Sequence, residues 1–334
     1  MKICEMNLYI CNNHFKHLIV TPKVKLEKRK ALIIEFITDR QVHYFGECNA
    51  FETDWYDDET IEIAREQAIK WFESFKNYEF YHFEEIQNAL QNLEKFPATR
   101  SMIVMACYQA FYKLETFHVP YGATVSGLTD ENVRNLINTK PQRVKVKWSE
   151  AILKDVKQLQ QLPFKTEIVV DANESIQEDE AKKLKLLSEN DILYIEEPFK
   201  NIEKIKNFKY DEIPPIAIDE KATSLEKILN YVKNDDVDVV VLKPFRLGGI
   251  DKVIQIIDIL SDRNVKFVIG GMYEYGLSRY FTALLAQYAT YPSDITPQGF
   301  YFENDIVACS GILKRGSIYF EPPHVNKLEL DQID

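Results

Sequence analysis

RVKVKW (143–148), EIVVDAN (167–173), ILYIEEP (192–198), IAIDE (216–220), VVVLKP (239–244) and FVIGGMYE (267–274) are six short apolar runs, each ending in polar residues. The key polar positions are Lys147, Asp171, Glu196, Asp219, Lys243 and Glu274, and the first five follow one another at 24, 25, 23 and 24 residues. Short β-branched runs read as buried strands. A step of this size leaves room for a helix between strands, so the pattern predicts a repeating strand–helix unit with its chemistry on one face.

The surrounding chain extends that unit. Strand-like runs fall near 121–125, 143–148, 167–173, 192–197, 215–219, 237–243, 266–271 and 294–297. Between them lie helical patterns such as EAILKDVKQLQQ (150–161), QEDEAKKLKLLSEN (177–190), SLEKILNYVKN (224–234) and IDKVIQIIDILSDRN (250–264). Eight strands with helical crossovers predict a parallel sheet of right-handed units, and about 200 residues suits one (β/α)8-type barrel. An open doubly wound sheet is the alternative. The barrel is preferred because charges end so many successive strands, and only a barrel brings those ends to one mouth.

Residues 3–48 behave differently. EMNLYI, FKHLIV, ALIIEFIT and VHYFGEC alternate apolar and polar residues, as half-buried antiparallel strands do, with a hairpin around Asp39 and Arg40. TPKVKLEKRK (21–30) reads as a basic loop. FETDWYDDET (51–60) leads into a helix over IEIAREQAIKWFESF (61–75), with Asp58 or Thr60 as N-cap. Further helices are expected near 83–94 and 98–116, the second behind Pro97. Strands followed by helices before residue 118 predict a separate α+β domain at 1–118. The repeating unit then occupies 119–298, and the strand- and turn-rich segment 299–334 returns to pack on the first domain.

Bulk properties narrow the class. The 334 residues exceed the usual size of one core. Hydrophobic content of 46% and charged content of 28% are ordinary for a globular chain. A net charge of −11 argues against a nucleic-acid partner, which needs a basic surface. Cys4, Cys11, Cys48, Cys107 and Cys309 form no CxxC pair, so neither zinc nor a disulfide framework is expected, and a cytoplasmic setting fits. MKICEMNLYICNNHF is too polar for a signal peptide, and no run reaches the ~18 apolar residues of a membrane span.

Asp171, Glu196 and Asp219 end three consecutive strands and would meet in one small volume. Carboxylates that close raise one another's pKa unless a cation joins them. All-oxygen ligands favour Mg²⁺, with Mn²⁺ able to substitute. Solvated acids at loop starts are the plainer reading. Lys145 and Lys147 point to one strand face, and Lys243 ends a strand across the mouth. A metal and a second ammonium would lower a lysine's pKa toward the range of a base, whereas structural ion pairs are the competing role. Metal plus lysine suits removal of a proton beside a carboxylate, because the resulting enediolate needs its negative charge stabilised.

These residues resemble the enolase superfamily in its muconate-lactonizing subgroup. A lysine base beside magnesium is a general pattern of that superfamily. The resemblance spans nearly the whole sequence and implies an N-terminal α+β capping domain on a modified (β/α)7β barrel. It implies Lys147 of KVKW as general base, Lys243 of LKP as opposed lysine, and Asp171, Glu196 and Asp219 as Mg²⁺ ligands. Lys145, Asn173, Glu197, Glu220, Gly270, Gly271, Met272, Glu274, Phe51 and Ser278 become supporting or substrate-binding positions. GECNAFETDWYDDET (46–60) and GGMYEYGLSR (270–279) are similar to the o-succinylbenzoate synthases and N-acylamino acid racemases. The synthase reaction is a syn-dehydration in menaquinone synthesis, with Lys147 taking the α-proton and protonating the departing hydroxyl. Racemisation of an N-acylamino acid, or epimerisation of a dipeptide, is the alternative, and an inactive barrel with a binding role is a remote one.

The chain departs from those relatives in TPKVKLEKRK, at Asp54, at Gln109, and at Tyr273 and Tyr275. Phe51, Trp55 and Tyr56 either line the pocket or pack the domain junction, and Ser278 and Arg279 are weaker candidates for carboxylate contacts. The expected partner is a small-molecule carboxylate, with no nucleic acid and no membrane; a homo-oligomer is left open.

Overall fold

Alternating residues at the N-terminus make an antiparallel meander: β1 (Ile3–Val20), β2 (Lys25–Thr38) and β3 (His43–Cys48). It comes from a computed structural model that describes residues 1–21, 23–177, 180–208, 212–234 and 237–333. Three helices follow, α1 (Ile61–Phe75), α2 (Phe83–Ala89) and α3 (Pro97–Phe111). Thr60, not Asp58, is the N-cap of α1, its side chain accepting from Ile63 N–H. Pro97 opens α3, whose residues Ala98–Cys107 are buried all round. Glu59 accepts from the free N–H groups of Ala98 and Thr99, which ties the 51–60 loop to this central helix.

The repeating unit runs β4 (Phe117–Pro120), β5 (Gly122–Val125), α4 (Asp130–Thr139), β6 (Arg143–Lys147), α5 (Ile152–Gln160), β7 (Glu167–Asp171) and α6 (Ala181–Ser188). It continues through β8 (Tyr194–Glu196), β9 (Ile216–Ile218), α7 (Leu225–Asn234), β10 (Val239–Leu242), α8 (Pro244–Leu247), α9 (Ile250–Asp262), β11 (Lys266–Ile269) and α10 (Gly276–Ala286). β5 to β11 form one parallel sheet in sequence order. The last strands are β12 (Ser310–Lys314), β13 (Ser317–Phe320) and β14 (Asp331–Ile333). β14 pairs with the edge of β1, while β12 and β13 join β4 in a small sheet. The architecture is an antiparallel α+β cap on a curled seven-stranded parallel sheet.

Three expectations are corrected. The eighth barrel strand, expected at 294–297, is a single parallel bridge between Gly270 and Asp294. Pro292 and Pro297 bracket it and lack the N–H a longer ladder needs. The segment still fills the gap in the curl: Asp294 N–H bonds Ile269 O at 3.0 Å, and a Cβ on Gly122 of β5 would lie 2.6 Å from Ser293 O. The basic loop 21–30 is mostly strand, because Lys25–Lys30 pair with β1 and put most of their charges on its solvent side. The third cap helix stops at Phe111 and the second at Ala89, followed by a 3₁₀ turn at Gln91–Leu93. Pro22, Glu178 and Asp179, within stretches read as loop and helix, lie outside the described residues.

Candidate active site

Strand register sets the site. Lys147 on β6 is level with Asp171 on β7, and Asp171 is level with Glu196 on β8. Glu196 is level with Ala217, and Asp219 lies two residues further along that strand direction. Side chains two apart share a face, so all four point into the curl. Beneath them Val169, Tyr194, Ala217 and Val239 make a separate apolar layer, the floor of the mouth.

Each acid meets a cation. Lys147 Nζ is 2.5 Å from Asp171 Oδ2 and 2.7 Å from Asn173 Oδ1, while its side chain stays 38% exposed. Lys243 Nζ is 2.7 Å from Asp219 Oδ2, and Arg246 Nη2 donates to Asp219 Oδ1 at 2.9 Å. Lys145 is buried below, 3.3 Å from Glu196 and 2.7 Å from Asp294. Asp294 also receives Arg143, whose other nitrogen donates to Tyr194 Oη at 2.8 Å.

Electrostatics follow from this crowding. Burial pushes the Glu196 carboxyl well up; Lys145 opposes this, and Asp171, Asp219 and Asp294 push the same way. Burial would raise Asp219, but Lys243 and Arg246 hold it well below the ordinary range. Burial and Asp219 lift Glu220 to about 7. Burial lowers Lys145 and Lys243, yet Asp294 and Asp219 respectively carry them above the usual lysine value.

As a metal set, the carboxylates fit in their chemistry. Glu196 feels three other acids besides Lys145, and the register of β7, β8 and β9 places three acids side by side. Hard divalent ions fit that chemistry. Among the described residues no three acid, His or Cys side chains are drawn together closely enough to grip an ion as placed. Their oxygens turn to lysines instead.

The supporting positions divide. Glu197 is buried and accepts from Asp219 N–H, Lys221 N–H and Lys221 Nζ, fixing the loop behind the third acid. Gly270 leaves room for Lys243, since a Cβ there would lie 3.2 Å from Lys243 Cε. A Cβ on Gly271 would come within 2.3 Å of Glu274 Oε2. Met272 is buried in the main core. Glu274 points away from the acids, bonded by Ser278 at 3.0 Å and by Thr282. Ser278 also bonds Asn49 of the cap at 2.9 Å. Arg279 is buried against Asp305 and is not open to a substrate carboxylate. Phe51 packs on Trp55, Tyr56 and Tyr273, so it lines the junction and the mouth together.

Residues 129–320 match the family described as enolase C-terminal domain-like. The chain belongs to the enolase superfamily. It is 25% identical over 329 residues to the o-succinylbenzoate synthase of Bacillus subtilis (strain 168), covering 92% of this chain and 88% of that one. An N-succinylamino acid racemase of Thermus thermophilus is 29% identical over 169 residues, 49% of this chain and 45% of that one. The structure of a dipeptide epimerase from Enterococcus faecalis V583, complexed with Mg and L-Leu-L-Tyr, matches with a TM-score of 0.81 at 20% identity, over 99% and 100% of the two chains.

For this superfamily member, sequence reasoning missed Asp294, Arg246 and Glu47. Asp294 stood at the head of the expected eighth strand, and Arg246 follows LKP by two residues; both signals were readable. Glu47, which accepts from Tyr275 and Ser278 N–H across the junction at 2.9 and 2.8 Å, had no local signal. Among the described residues no helix is long and apolar enough to cross a membrane.

Proposed function

We propose that this superfamily enzyme is an o-succinylbenzoate synthase. It would dehydrate 2-succinyl-6-hydroxy-2,4-cyclohexadiene-1-carboxylate to o-succinylbenzoate, a step of menaquinone synthesis, with 1–118 and 299–334 as the specificity cap and 119–298 as the catalytic barrel. The observation that carries this reading is the unlike setting of the two lysines. Lys147 is 38% exposed at the mouth, whereas Lys243 is 9% exposed, clamped by Asp219, with its Nζ 5.8 Å above the Tyr56 ring. Syn-elimination uses one accessible base and one fixed cation, while racemisation uses two bases.

In this assignment Lys147 removes the α-proton, and the same ammonium returns a proton to the departing hydroxyl, which leaves as water on the same face. Asn173 and Asp171 hold Lys147 in place. Lys243 stays charged on the far side and faces the anion that the proton leaves behind. Asp171, Glu196 and Asp219 would hold Mg²⁺. When bound, that ion supplies a Lewis acid for the negative charge growing on the substrate carboxylate.

The second reading, racemisation of N-succinylamino acids, is favoured by one observation: racemase and epimerase relatives match at similarly low identity. Purified protein with Mg²⁺ and the cyclohexadiene substrate should give o-succinylbenzoate, lose that activity in EDTA and regain it with Mg²⁺. N-succinylamino acid in D₂O is the counter-assay. Exchange with inversion much faster than dehydration would replace the proposal with the racemase reading.

A further inference from the structure

Five arginines are buried among the described residues, and four of them face a carboxylate. Arg100 pairs with Asp251, Arg143 with Asp294, Arg246 with Asp219 and Arg279 with Asp305. Arg29 on β2 differs. It is 1% exposed, and no carboxylate pairs with it among the described residues. Nη1 donates to Ala50 O at 2.8 Å, but Nε and Nη2 have no hydrogen-bond partner. A guanidinium buried without a counter-ion is costly, and burial depresses its pKa accordingly. Nε and Nη2 form one edge of the guanidinium fork, the geometry that receives both oxygens of a carboxylate.

The position of that edge matters. Arg29 Cζ lies 4.3 Å from the centre of the Phe51 ring. Phe51 is 6.2 Å from the Tyr273 ring and 6.0 Å from the Tyr56 ring, and Tyr56 lies under Lys243. A thin aromatic layer thus separates Arg29 from the reacting side of the mouth. The nearby acids act on Arg29 through space but do not pair with its free edge. Glu47 is committed to Tyr275 and Ser278 N–H, and Glu274 to Ser278 and Thr282. Burial pushes Glu47 up to about 8 and Glu274 upward too.

We propose that Arg29 is the cap residue that binds the terminal carboxylate of the substrate, so that the site takes dicarboxylates whose second acid lies a short acyl chain from the first. The first carboxylate belongs to the strand ends, and the acyl chain crosses the Phe51–Tyr56–Tyr273 layer to the free edge of Arg29. The aromatic ligand rests on the proposed function, whereas the anion site stands on Arg29 itself.

Calorimetric titration of the Mg²⁺-loaded enzyme tests it with two ligand pairs that differ only by a methyl in place of the terminal carboxylate. These are o-succinylbenzoate against 2-butyrylbenzoate, and N-succinyl- against N-butyryl-phenylalanine. A charge-assisted bidentate contact predicts that wild type prefers the dicarboxylate of at least one pair by roughly tenfold or more. Arg29→Met should bring the members of that pair together, Arg29→Lys should keep part of the preference, and KM should rise in Arg29→Met more than kcat falls. Discrimination confined to the N-succinyl pair would sink the synthase reading and leave the role of Arg29 standing. Wild type binding both members of each pair alike, binding neither pair, or Arg29→Met retaining the full preference would overturn the proposal. Should both variants fail to fold, the wild-type comparison alone decides.

Discussion

Lys147 is held by Asp171 and Asn173 at the rim yet remains partly exposed, so its removal separates chemistry from folding. Lys147→Ala should lower turnover by roughly a thousandfold or more, the upper part of what a positioned base contributes. Its unfolding free energy should stay within about 1 kcal/mol of wild type, since no buried group loses its only partner. Steady-state kinetics and urea unfolding measure the two; near-normal turnover would mean that the base is another residue. Gly270 gives a second, finer expectation. An added Cβ would press on Lys243 Cε and Val241 Cγ1, both at 3.2 Å. Gly270→Ala should therefore displace Lys243, cutting kcat roughly tenfold with a stability loss of only about 1–2 kcal/mol. An unchanged kcat would show that Lys243 tolerates displacement.

Among the elements, α10 depends on a residue from another part of the chain. Its first N–H groups have no partner within the helix, and Glu47 of β3 accepts those of Tyr275 and Ser278. Glu47→Ala should leave two buried donors open and cost about 2–4 kcal/mol, whereas Glu47→Gln, which keeps one of the two acceptor oxygens, should cost less. Chemical denaturation of the two variants checks the ranking, and equal losses would argue that shape alone matters at that position. This dependence also explains what the sequence could convey. Strand runs and the charges ending them are local, and β6 to β10 with Lys147, Asp171, Glu196, Asp219 and Lys243 were legible for that reason. The tip of the β1–β2 ribbon was misread because a run of lysines looks like a loop until its partner strand is known. Asp294 was legible only as the head of an expected strand, because its place in the site comes from Arg143 and Lys145, some 150 positions earlier.

At the scale of the whole molecule, the chain's last residues fasten onto the cap that its first residues build, a closure that periodicity cannot express. β14 pairs with β1, and Lys327 reaches Glu35 in the middle of β2 at 2.8 and 3.0 Å. Glu35 is fully buried and also accepts from Tyr9 Oη at 2.7 Å and Asn7 Nδ2 at 2.8 Å. Burial would raise its pKa, but the bonds from Lys327, Tyr9, Asn7 and His43 win and bring it to about 2. A carboxylate whose pKa falls on folding stabilises the native state above its unfolded pKa of about 4.5, and that contribution fades as pH drops toward about 2. The size of the shift corresponds to about 3 kcal/mol at neutral pH. Glu35→Gln should therefore unfold at lower urea than wild type at pH 7, with the gap narrowing steadily between pH 4.5 and pH 2.5. Lys327→Met, which removes one partner that is itself half exposed, should show a smaller gap that narrows over the same range. A gap for Glu35→Gln that does not change with pH would mean that shape, not charge, fastens the C-terminal segment to the cap.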